Sequence, residues 1–203
     1  FGLHGIYRLN DEKLVPNYDS GKKNLHIDIE FKKNETTKNL QFFDTTGFGT
    51  NFKFFKNVDN YVKFLDTLAI DIFDEDFTFD IFKKNLETMQ EYKKNVYGNT
   101  SVSYFLTRQD YLCSGIGNYL KCEILYDAKI SPKRFDIFKL SDEETKNLFN
   151  SLIKISDFHF EKGGRLLENM KVYKKKKDPN GFEVVFEKTS DDKKTYWVPE
   201  IQK

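Results

Sequence analysis

The stretch of sequence with the clearest chemical potential is a glycine turn, SGIGN at residues 114–118. Closely spaced glycines let successive backbone N–H groups converge on an anion, and the N-terminus of a following helix adds partial positive charge. Asn118, at the predicted start of that helix, adds a neutral donor that suits a phosphodiester. The pattern therefore indicates a phosphate-binding turn built from Gly115, Gly117 and Asn118, although turns of this kind also serve simply to join helices.

Composition limits the kind of protein that these residues can serve. The 203 residues carry a formal net charge of +1, so any nucleic-acid surface must be a local patch. Two patches are visible, the lysine runs at 174–177 and 193–194, and the alternative for each is a solvated surface. With two cysteines and three scattered histidines, the sequence predicts no metal site and no cofactor.

The two cysteines also bear on location. Cys113 and Cys122 are typical of free thiols in a reducing compartment, which predicts an intracellular protein of the nucleus or cytoplasm. No apolar run approaches the roughly 18 residues of a membrane span, and no signal peptide is visible. We therefore expect no membrane partner.

Hydrophobic periodicity predicts strands first and helices afterwards. Leu25–Phe31 alternates with the period of a half-buried strand, and shorter apolar runs follow at 39–43 and 52–55. Helical spacing begins near residue 59, and Ser141 with Glu144 forms a capping-box pattern. The 21 Phe and 11 Tyr predict a core that is aromatic rather than aliphatic.

The last forty residues return to strand periodicity. Alternating runs at 170–173, 182–186 and 195–198 surround a turn at 178–181. The order of strands, helices and hairpin predicts an α+β chain. Its expected domains are residues 1–58, 59–165 and 166–203.

Four short matches give the glycine turn a context. They are LTRQ at 106–109, SGIGNYL at 114–120, EILY at 123–126 and ISP at 130–132. Together they resemble the helix–two-turn–helix signature of the formamidopyrimidine-DNA glycosylase and endonuclease VIII family, with a departure at Arg108, where the family usually has Asp. The resemblance implies that Asn118 and the turn amides hold a DNA phosphate beside the lesion. It also implies that Glu123 orders the second helix and the site behind it.

Two further matches concern apolar wedges. The opening FGLHG resembles a family segment in which Leu3 would fill the gap left by a flipped-out base, and DTTGFG resembles a second intercalation loop with Phe48 as wedge. Such insertion offsets part of the few kcal/mol that base extrusion costs. Without the resemblance, both would be ordinary core residues. Thr46 and Gly47 stand where the family usually has two arginines. This difference is expected to affect discrimination of the opposite base and affinity for DNA, whereas the wedge at Phe48 is retained.

The C-terminal KKTYWVPEIQ at 193–202 resembles the end of the family's zinc finger. Val198 and Ile201 stand where two cysteine ligands would be, as in the zincless-finger, endonuclease VIII-like members such as those of giant viruses. The resemblance implies a hairpin held by apolar packing. It gives Lys193 the place of the finger arginine that binds phosphate and assists elimination, and the alternative is a solvated hairpin charge.

The resemblance implies a monomeric base-excision-repair enzyme with three parts: the remainder of a β-sandwich, a helical domain with the helix–two-turn–helix, and a zincless-finger hairpin. Its substrate would be double-stranded DNA with oxidised bases or abasic sites. Base flipping and a Schiff-base intermediate would lead to β- and δ-elimination. In the family, the loop that reads the flipped base corresponds to residues 163–169 here. This segment is short for such a loop, which favours oxidised pyrimidines over oxidised purines as the substrate. A viral member would act in its host cell.

The family's nucleophile is an N-terminal proline, which has no counterpart in the sequence. Phe1 aligns well inside the family's first domain, so we expect a portion of a longer enzyme. Thr46 and Gly47 favour another hypothesis, a catalytically inactive damaged-DNA-binding protein of the same fold. A third, an unrelated helical scaffold with a chance glycine turn, is disfavoured by the ordered matches at both ends. An in-frame Met-Pro-Glu start upstream of Phe1 would favour the enzyme.

Overall fold

The computed structural model describes residues 5–9, 25–44, 53–97, 101–162 and 167–203. The chain divides into two compact units, Phe1–Val58 and Asp59–Lys203. Among the helices of the described ranges, none has the length and apolar character needed to cross a membrane.

The first unit contains a three-stranded antiparallel sheet. Its strands are β1 (Gly5–Leu9), β2 (Leu25–Lys33) and β3 (Thr36–Asp44), in the order β1-β3-β2. Asn34 lies in the turn between β2 and β3 with a φ of 53°, a left-handed conformation that asparagine tolerates better than most residues. The strands predicted at 25–31 and 39–43 are confirmed, and both are longer than predicted.

Burial in this sheet follows the predicted alternation only at one end. Phe42 and Phe43 are both buried, so both faces of β3 are covered there, because neighbouring residues of a strand point to opposite faces. Ile29 and Phe31 are instead 42% and 51% exposed. Phe31 pairs with Lys38, beyond the residues 40–44 that pair with β1, and a two-stranded ribbon has little surface against which to bury these side chains.

The chain from Val58, the last residue of the first unit, is mainly helical. Its helices are α1 (Val58–Leu65), α2 (Phe79–Tyr97), α3 (Val102–Thr107), α4 (Asn118–Asp127) and α5 (Asp142–Glu161), with short 3₁₀ turns at Ile137–Lys139 and Leu167–Asn169. The predicted capping box starts α5: the Glu144 N–H donates to Ser141 Oγ at 3.2 Å, and the Ser141 N–H donates to Glu144 Oε2 at 2.7 Å. Leu148, Leu152 and Ile155 are buried on one face of α5.

The expectation of an aromatic core is wrong for the described residues. The main core of the second unit combines Phe77, Phe82 and Phe105 with a larger number of buried Leu, Ile and Val side chains. Many phenylalanines lie at the surface instead: Phe31, Phe54, Phe73, Phe135, Phe158, Phe160, Phe182 and Phe186 are each at least 38% exposed. The prediction from aromatic content therefore overestimated the aromatic share of the core, because hydrophobic residues also cover much of a protein surface.

The C-terminal segment forms a β-hairpin of β4 (Val185–Lys188) and β5 (Lys194–Trp197). The strands predicted at 182–186 and 195–198 are thus present with shifted bounds. The prediction of a strand at 170–173 is wrong. The apolar run at 52–55 was also expected to be a strand, and its described residues, 53–55, do not form one.

The predicted turn at 178–181 is confirmed, and Asp178 anchors it to α4. Tyr126 Oη donates to Asp178 Oδ2 at 2.8 Å, and the Phe182 N–H donates to Oδ1 at 2.8 Å. Burial opposes the ionisation of Asp178, but these hydrogen bonds and those from Asn180 outweigh it and hold the pKa of Asp178 below its ordinary value. Gly181 has a φ of 90°, which the turn requires and which glycine adopts without strain.

Candidate nucleic-acid interface

The glycine turn lies between α3 and α4, where the sequence predicted it. Gly115 has a φ of 103°, and a Cβ atom there would lie 3.0 Å from Ile72 Cγ2. The turn is held close to Ile72 by two backbone hydrogen bonds, from the Ile72 N–H to the Ser114 oxygen at 3.1 Å and from the Ser114 N–H to the Ile70 oxygen at 2.8 Å. Gly115 is therefore required both by the backbone conformation and by the close approach of a neighbouring segment.

Gln109 organises the inside of this turn. Its amide nitrogen donates to the Ile116 oxygen at 3.0 Å, and its Oε1 accepts the Gly115 N–H at 2.7 Å. The Gly115 amide is thus occupied within the protein. Gly115 and Gly117 are both exposed, and Gly117 begins α4 without a side-chain cap. Uncapped first-turn N–H groups at an exposed helix start are the usual anion-binding feature of a helix.

Three residues at helical spacing on α4 bind three consecutive residues of β5. Asn118 Nδ2 donates to the Lys194 oxygen at 3.0 Å, Lys121 Nζ donates to Thr195 Oγ1 at 2.7 Å, and the Tyr196 N–H donates to Cys122 Sγ at 3.4 Å. Residues i, i+3 and i+4 share one helix face, so a single face of α4 contacts the β5 strand of the hairpin. The hairpin is therefore held against the same helix whose start forms the anion-binding feature.

The orientation of the Asn118 side chain is fixed by this contact. The Lys194 carbonyl is only an acceptor, so the amide nitrogen must face it, and Oδ1 is left buried without a partner among the described residues. The amide nitrogen carries a second hydrogen beyond the one given to Lys194. Asn118 therefore both supports the hairpin and retains a donor at the start of α4.

Lys193 and Lys194 lie at the hairpin end next to Asn118. Both are exposed, and the Lys193 N–H donates to Asp191 Oδ1 at 3.3 Å. The Lys194 ammonium lies 3.5 Å from the centre of the Phe186 ring, a cation–π contact that orients the side chain. The Lys194 carbonyl thus joins the start of α4 to two exposed lysines, within a chain whose net charge is only +1.

Glu123 is buried and accepts three backbone hydrogen bonds. Its Oε2 accepts the Lys171 N–H at 2.8 Å, and its Oε1 accepts the N–H groups of Val172 at 3.0 Å and Tyr173 at 2.8 Å. These are the amides that the predicted strand at 170–173 would have given to a neighbouring strand. The carboxylate takes them instead, which explains why that strand does not form.

The hairpin is also packed on α4 through apolar side chains. Val198 is completely buried in a cluster with Cys122, Tyr126, Val172 and others, and Ile201 packs against the same cluster. In the part of the chain that the structure describes, no group of three or more His, Cys, Asp or Glu residues is arranged to hold a metal ion. Burial raises the pKa of the Cys122 thiol to about 12 and that of Cys113 to about 12.

Several predicted site residues lie outside the described ranges. They are Leu3, Phe48, and the Thr46 and Gly47 pair, as well as residues 163–166 of the segment expected to read the base. Arg108, the departure from the family pattern, is described: its guanidinium binds the Asp110 carboxylate in a bidentate pair, at 3.0 Å and 2.8 Å. That ion pair raises the pKa of Arg108, so its positive charge is neutralised locally by Asp110.

Sequence reasoning missed the polar residues that connect α4 to the hairpin. Lys121 is completely buried, and its ammonium lies 2.6 Å from Asp191 Oδ2. Burial lowers the pKa of Lys121, against the opposing effect of the Asp191 carboxylate. The available signal was that Lys121 and Glu123 are the two charged residues of the mostly apolar stretch from Tyr119 to Tyr126, since a charged residue in such a stretch needs a buried partner.

Known proteins match parts of this sequence. Residues 168–203, which include the hairpin and the amides bound by Glu123, match the formamidopyrimidine-DNA glycosylase C-terminal domain family. An endonuclease 8-like protein of Acanthamoeba polyphaga mimivirus is 27% identical over 142 residues, which cover 66% of this chain and 50% of the viral protein. The chain thus spans about half the length of that curated relative.

Solved structures extend the match to the whole chain. MutM in complex with DNA containing carbocyclic 8-oxo-G has a TM-score of 0.75 at 23% identity, covering 100% of this chain and 72% of MutM. The Lactococcus lactis formamidopyrimidine-DNA glycosylase, bound non-covalently to DNA with an AP site, has a TM-score of 0.74 at 22% identity and the same coverage. The chain has the fold of the formamidopyrimidine-DNA glycosylases. The resemblance predicted from the sequence is thereby confirmed, as is the mixture of helix and sheet.

Proposed function

We propose that the chain belongs to a base-excision-repair DNA glycosylase with AP-lyase activity, which acts on oxidised bases, preferably pyrimidines, in double-stranded DNA. The observation that carries the proposal is the uncapped start of α4 beside two exposed lysines, Lys193 and Lys194, in a formamidopyrimidine-DNA glycosylase fold. The solved relatives with this fold were captured on damaged or abasic-site DNA. A phosphate is the anion that such a pairing of helix start and cations suits best.

In this proposal the phosphate beside the lesion is held from three directions. The first-turn N–H groups of α4 point at it, and Asn118 donates its second amide hydrogen. Lys193 supplies the charge, and as a point charge it contributes attraction without the bidentate geometry of an arginine. The hydrogen bond from Asn118 to the Lys194 oxygen keeps these groups together, since it joins the helix start to the lysines.

We further propose that the hairpin is a zincless finger, with Val198 and Ile201 in the places of metal ligands. The burial of Val198 in the apolar cluster on α4 supports this role, because apolar packing then supplies the attachment that a metal would give. Glu123 acts as a supporting residue behind the site by holding residues 171–173. Lys193 assists elimination as well as binding phosphate.

Base flipping in this proposal uses Leu3 and Phe48 as wedges, a role for which the sequence resemblance is the support. The nucleophile would be the amine of a proline encoded upstream of Phe1. It would attack the sugar C1′, expel the base, and leave a Schiff base from which elimination proceeds. The replacement of two arginines by Thr46 and Gly47 supports a second candidate, a damaged-DNA-binding protein of the same fold without catalysis.

The binding part of the proposal is tested with Asn118→Ala. We expect this change to weaken binding to an abasic-site duplex by more than tenfold, measured by fluorescence anisotropy at one fixed salt concentration. Asn147→Ala, which removes an exposed asparagine amide from α5, is the matched control and should leave the affinity unchanged. Equal dissociation constants for Asn118→Ala and the unsubstituted chain would remove Asn118 from the phosphate site.

The catalytic part is tested by borohydride trapping on an abasic-site duplex, followed by intact mass of the product. The protein is the chain together with whatever residues its gene encodes upstream of Phe1. A covalent adduct at an upstream proline supports the glycosylase and lyase. Tight binding without an adduct supports the inactive DNA-binding protein, and the absence of binding contradicts both candidates.

A further inference from the structure

The ion pair between Lys121 in α4 and Asp191 in the hairpin turn is almost completely buried. Its two side chains are 0% and 4% exposed, and Nζ lies 2.6 Å from Oδ2. Lys121 also donates to Thr195 Oγ1 at 2.7 Å, so its ammonium is held by β5 as well as by the turn. Burying two charges is costly, and replacement by apolar residues is often neutral or stabilising. A pair of this kind is therefore better explained by the geometry that it imposes.

Asp191 makes further hydrogen bonds that extend beyond this pair. Its Oδ2 accepts the Thr107 hydroxyl at 3.2 Å, and its Oδ1 accepts the Thr189 hydroxyl at 2.6 Å and the Lys193 N–H at 3.3 Å. Thr107 is the last residue of α3, and Lys121 lies in α4. One carboxylate thus joins both helices of the helix–turn–helix segment to the backbone of the hairpin turn.

Among the described residues, the neighbouring Asp192 gives the turn no comparable attachment to the helices. Asp192 pairs with Lys188 at 2.6 Å, but both belong to the hairpin and both are largely exposed, at 85% and 72%. Ser101 and Ser190 provide a smaller neutral contact at the base of α3, between their hydroxyl oxygens at 2.5 Å. The charged connection between the turn and the helices therefore runs through Asp191.

We propose that the Lys121–Asp191 ion pair is a positioning element that fixes the hairpin turn on α3 and α4, and thereby sets Lys193 and Lys194 at the phosphate site. This inference rests on the proposed DNA-binding function, and it assigns to two buried residues a part in recognition that needs no contact with DNA. Lys193 acts through its own side chain, and Asp191 acts by fixing the backbone of Lys193.

The test compares two neighbouring substitutions, Asp191→Asn and Asp192→Asn, in the full chain. Both remove one negative charge from the same turn, so their general effect on attraction to DNA is the same. Asp192 has a φ of 58°, a conformation that asparagine also tolerates, so the control adds no backbone strain. The substitutions differ in that only Asp191 binds the helices.

The first measurement is independent of DNA. Amide hydrogen exchange over residues 189–195, followed by mass spectrometry, should be at least tenfold faster in Asp191→Asn and unchanged in Asp192→Asn. Equal exchange in both variants would overturn the proposed fixing of the turn. This measurement needs no DNA. If the chain fails to bind an abasic-site duplex, the proposed function is contradicted, and hydrogen exchange still decides whether Asp191 fixes the turn.

The second measurement is the salt dependence of binding to an abasic-site duplex. The slope of log Kd against log salt should fall by about one in Asp191→Asn, because about 0.9 of a counterion is released for each phosphate neutralised. A purely structural role would lower the fraction of active protein and leave that slope unchanged. Lys193→Ala should weaken binding in the unsubstituted chain but have little further effect in the Asp191→Asn background. Additive effects would show that Asp191 does not act through Lys193.

A second variant protects the test against misfolding of Asp191→Asn, in which Lys121 keeps an unpaired buried charge. The double variant Lys121→Met with Asp191→Asn removes both charges of the pair and keeps a side chain of similar length at residue 121. It should fold and show the same faster exchange and smaller slope. Lys121→Arg retains the charge and should preserve the unsubstituted slope, and a loss of slope in that variant would contradict the inference.

Discussion

Replacing Glu123 by glutamine converts an acceptor into a donor where three backbone N–H groups converge. The better orientation of glutamine keeps its oxygen against Val172 and Tyr173, which places its amide nitrogen against the Lys171 N–H. Two donors then face each other at a heavy-atom distance of 2.8 Å. The opposite orientation would set the amide nitrogen against two N–H groups and is worse.

The cost follows from the three hydrogen bonds. The lost bond to a charged acceptor is worth about 1.5 to 3 kcal/mol, and each of the two remaining bonds loses roughly 1 kcal/mol when its acceptor becomes neutral. Removing a buried charge returns part of this sum. We expect Glu123→Gln to lower the free energy of unfolding by about 2 to 4 kcal/mol, which corresponds to a Tm lower by about 4 to 16 °C for a domain of this size.

The assay is urea unfolding followed by tryptophan fluorescence. Trp197 is the single tryptophan of the sequence and is buried in β5, so its emission reports on the hairpin that Glu123 helps to attach. Glu87→Gln, at an exposed position in α2, is the matched control and should change the free energy of unfolding by less than about 0.5 kcal/mol. A similarly small change for Glu123→Gln would refute the reasoning, since it would mean that the three N–H groups find other acceptors without loss.

Three more predictions concern the turn, the acid side of the stability curve and the thiols. Gly115→Ala should lower the free energy of unfolding by about 2 kcal/mol or more through strain and a close contact. In the same urea assay Gly117→Ala should cost less, roughly 0.5 to 1 kcal/mol for a poorer helix N-cap, because the added Cβ meets no heavy atom within 4 Å among the described residues beyond its chain neighbours. Because the pKa of Asp178 is lowered by folding, its contribution to stability is present above its ordinary pKa of about 4 and is lost as the pH falls towards the lower folded value. Asp178→Asn should therefore flatten the decline of stability below about pH 4, and an unchanged decline would contradict the assignment. The pKa values of Cys113 and Cys122 are both raised to about 12, so neither thiol of the folded protein should react rapidly with Ellman's reagent at pH 8. Both should react in urea. A thiol that reacts rapidly in the folded protein would contradict this prediction.

Local features of the sequence were enough to predict most of the helices and the glycine turn. The capping box at Ser141 and Glu144 and the glycine turn at 114–118 each depend on residues within a few positions of one another. Periodicity and turn chemistry act over that range, so they can be recognised without knowing what packs against them. The candidate phosphate site at Asn118 was located in the same way.

The tertiary structure decided which polar groups found partners at a distance. Glu123 takes amides 48 to 50 residues away, and this removes the strand that alternation predicted at 170–173. Lys121 pairs with Asp191, 70 residues further along the chain, and no local sequence pattern around either residue predicts the other as its partner. Such pairings depend on the burial that the whole fold creates, because a charge becomes costly enough to need a partner only after the surrounding chain has excluded water from it.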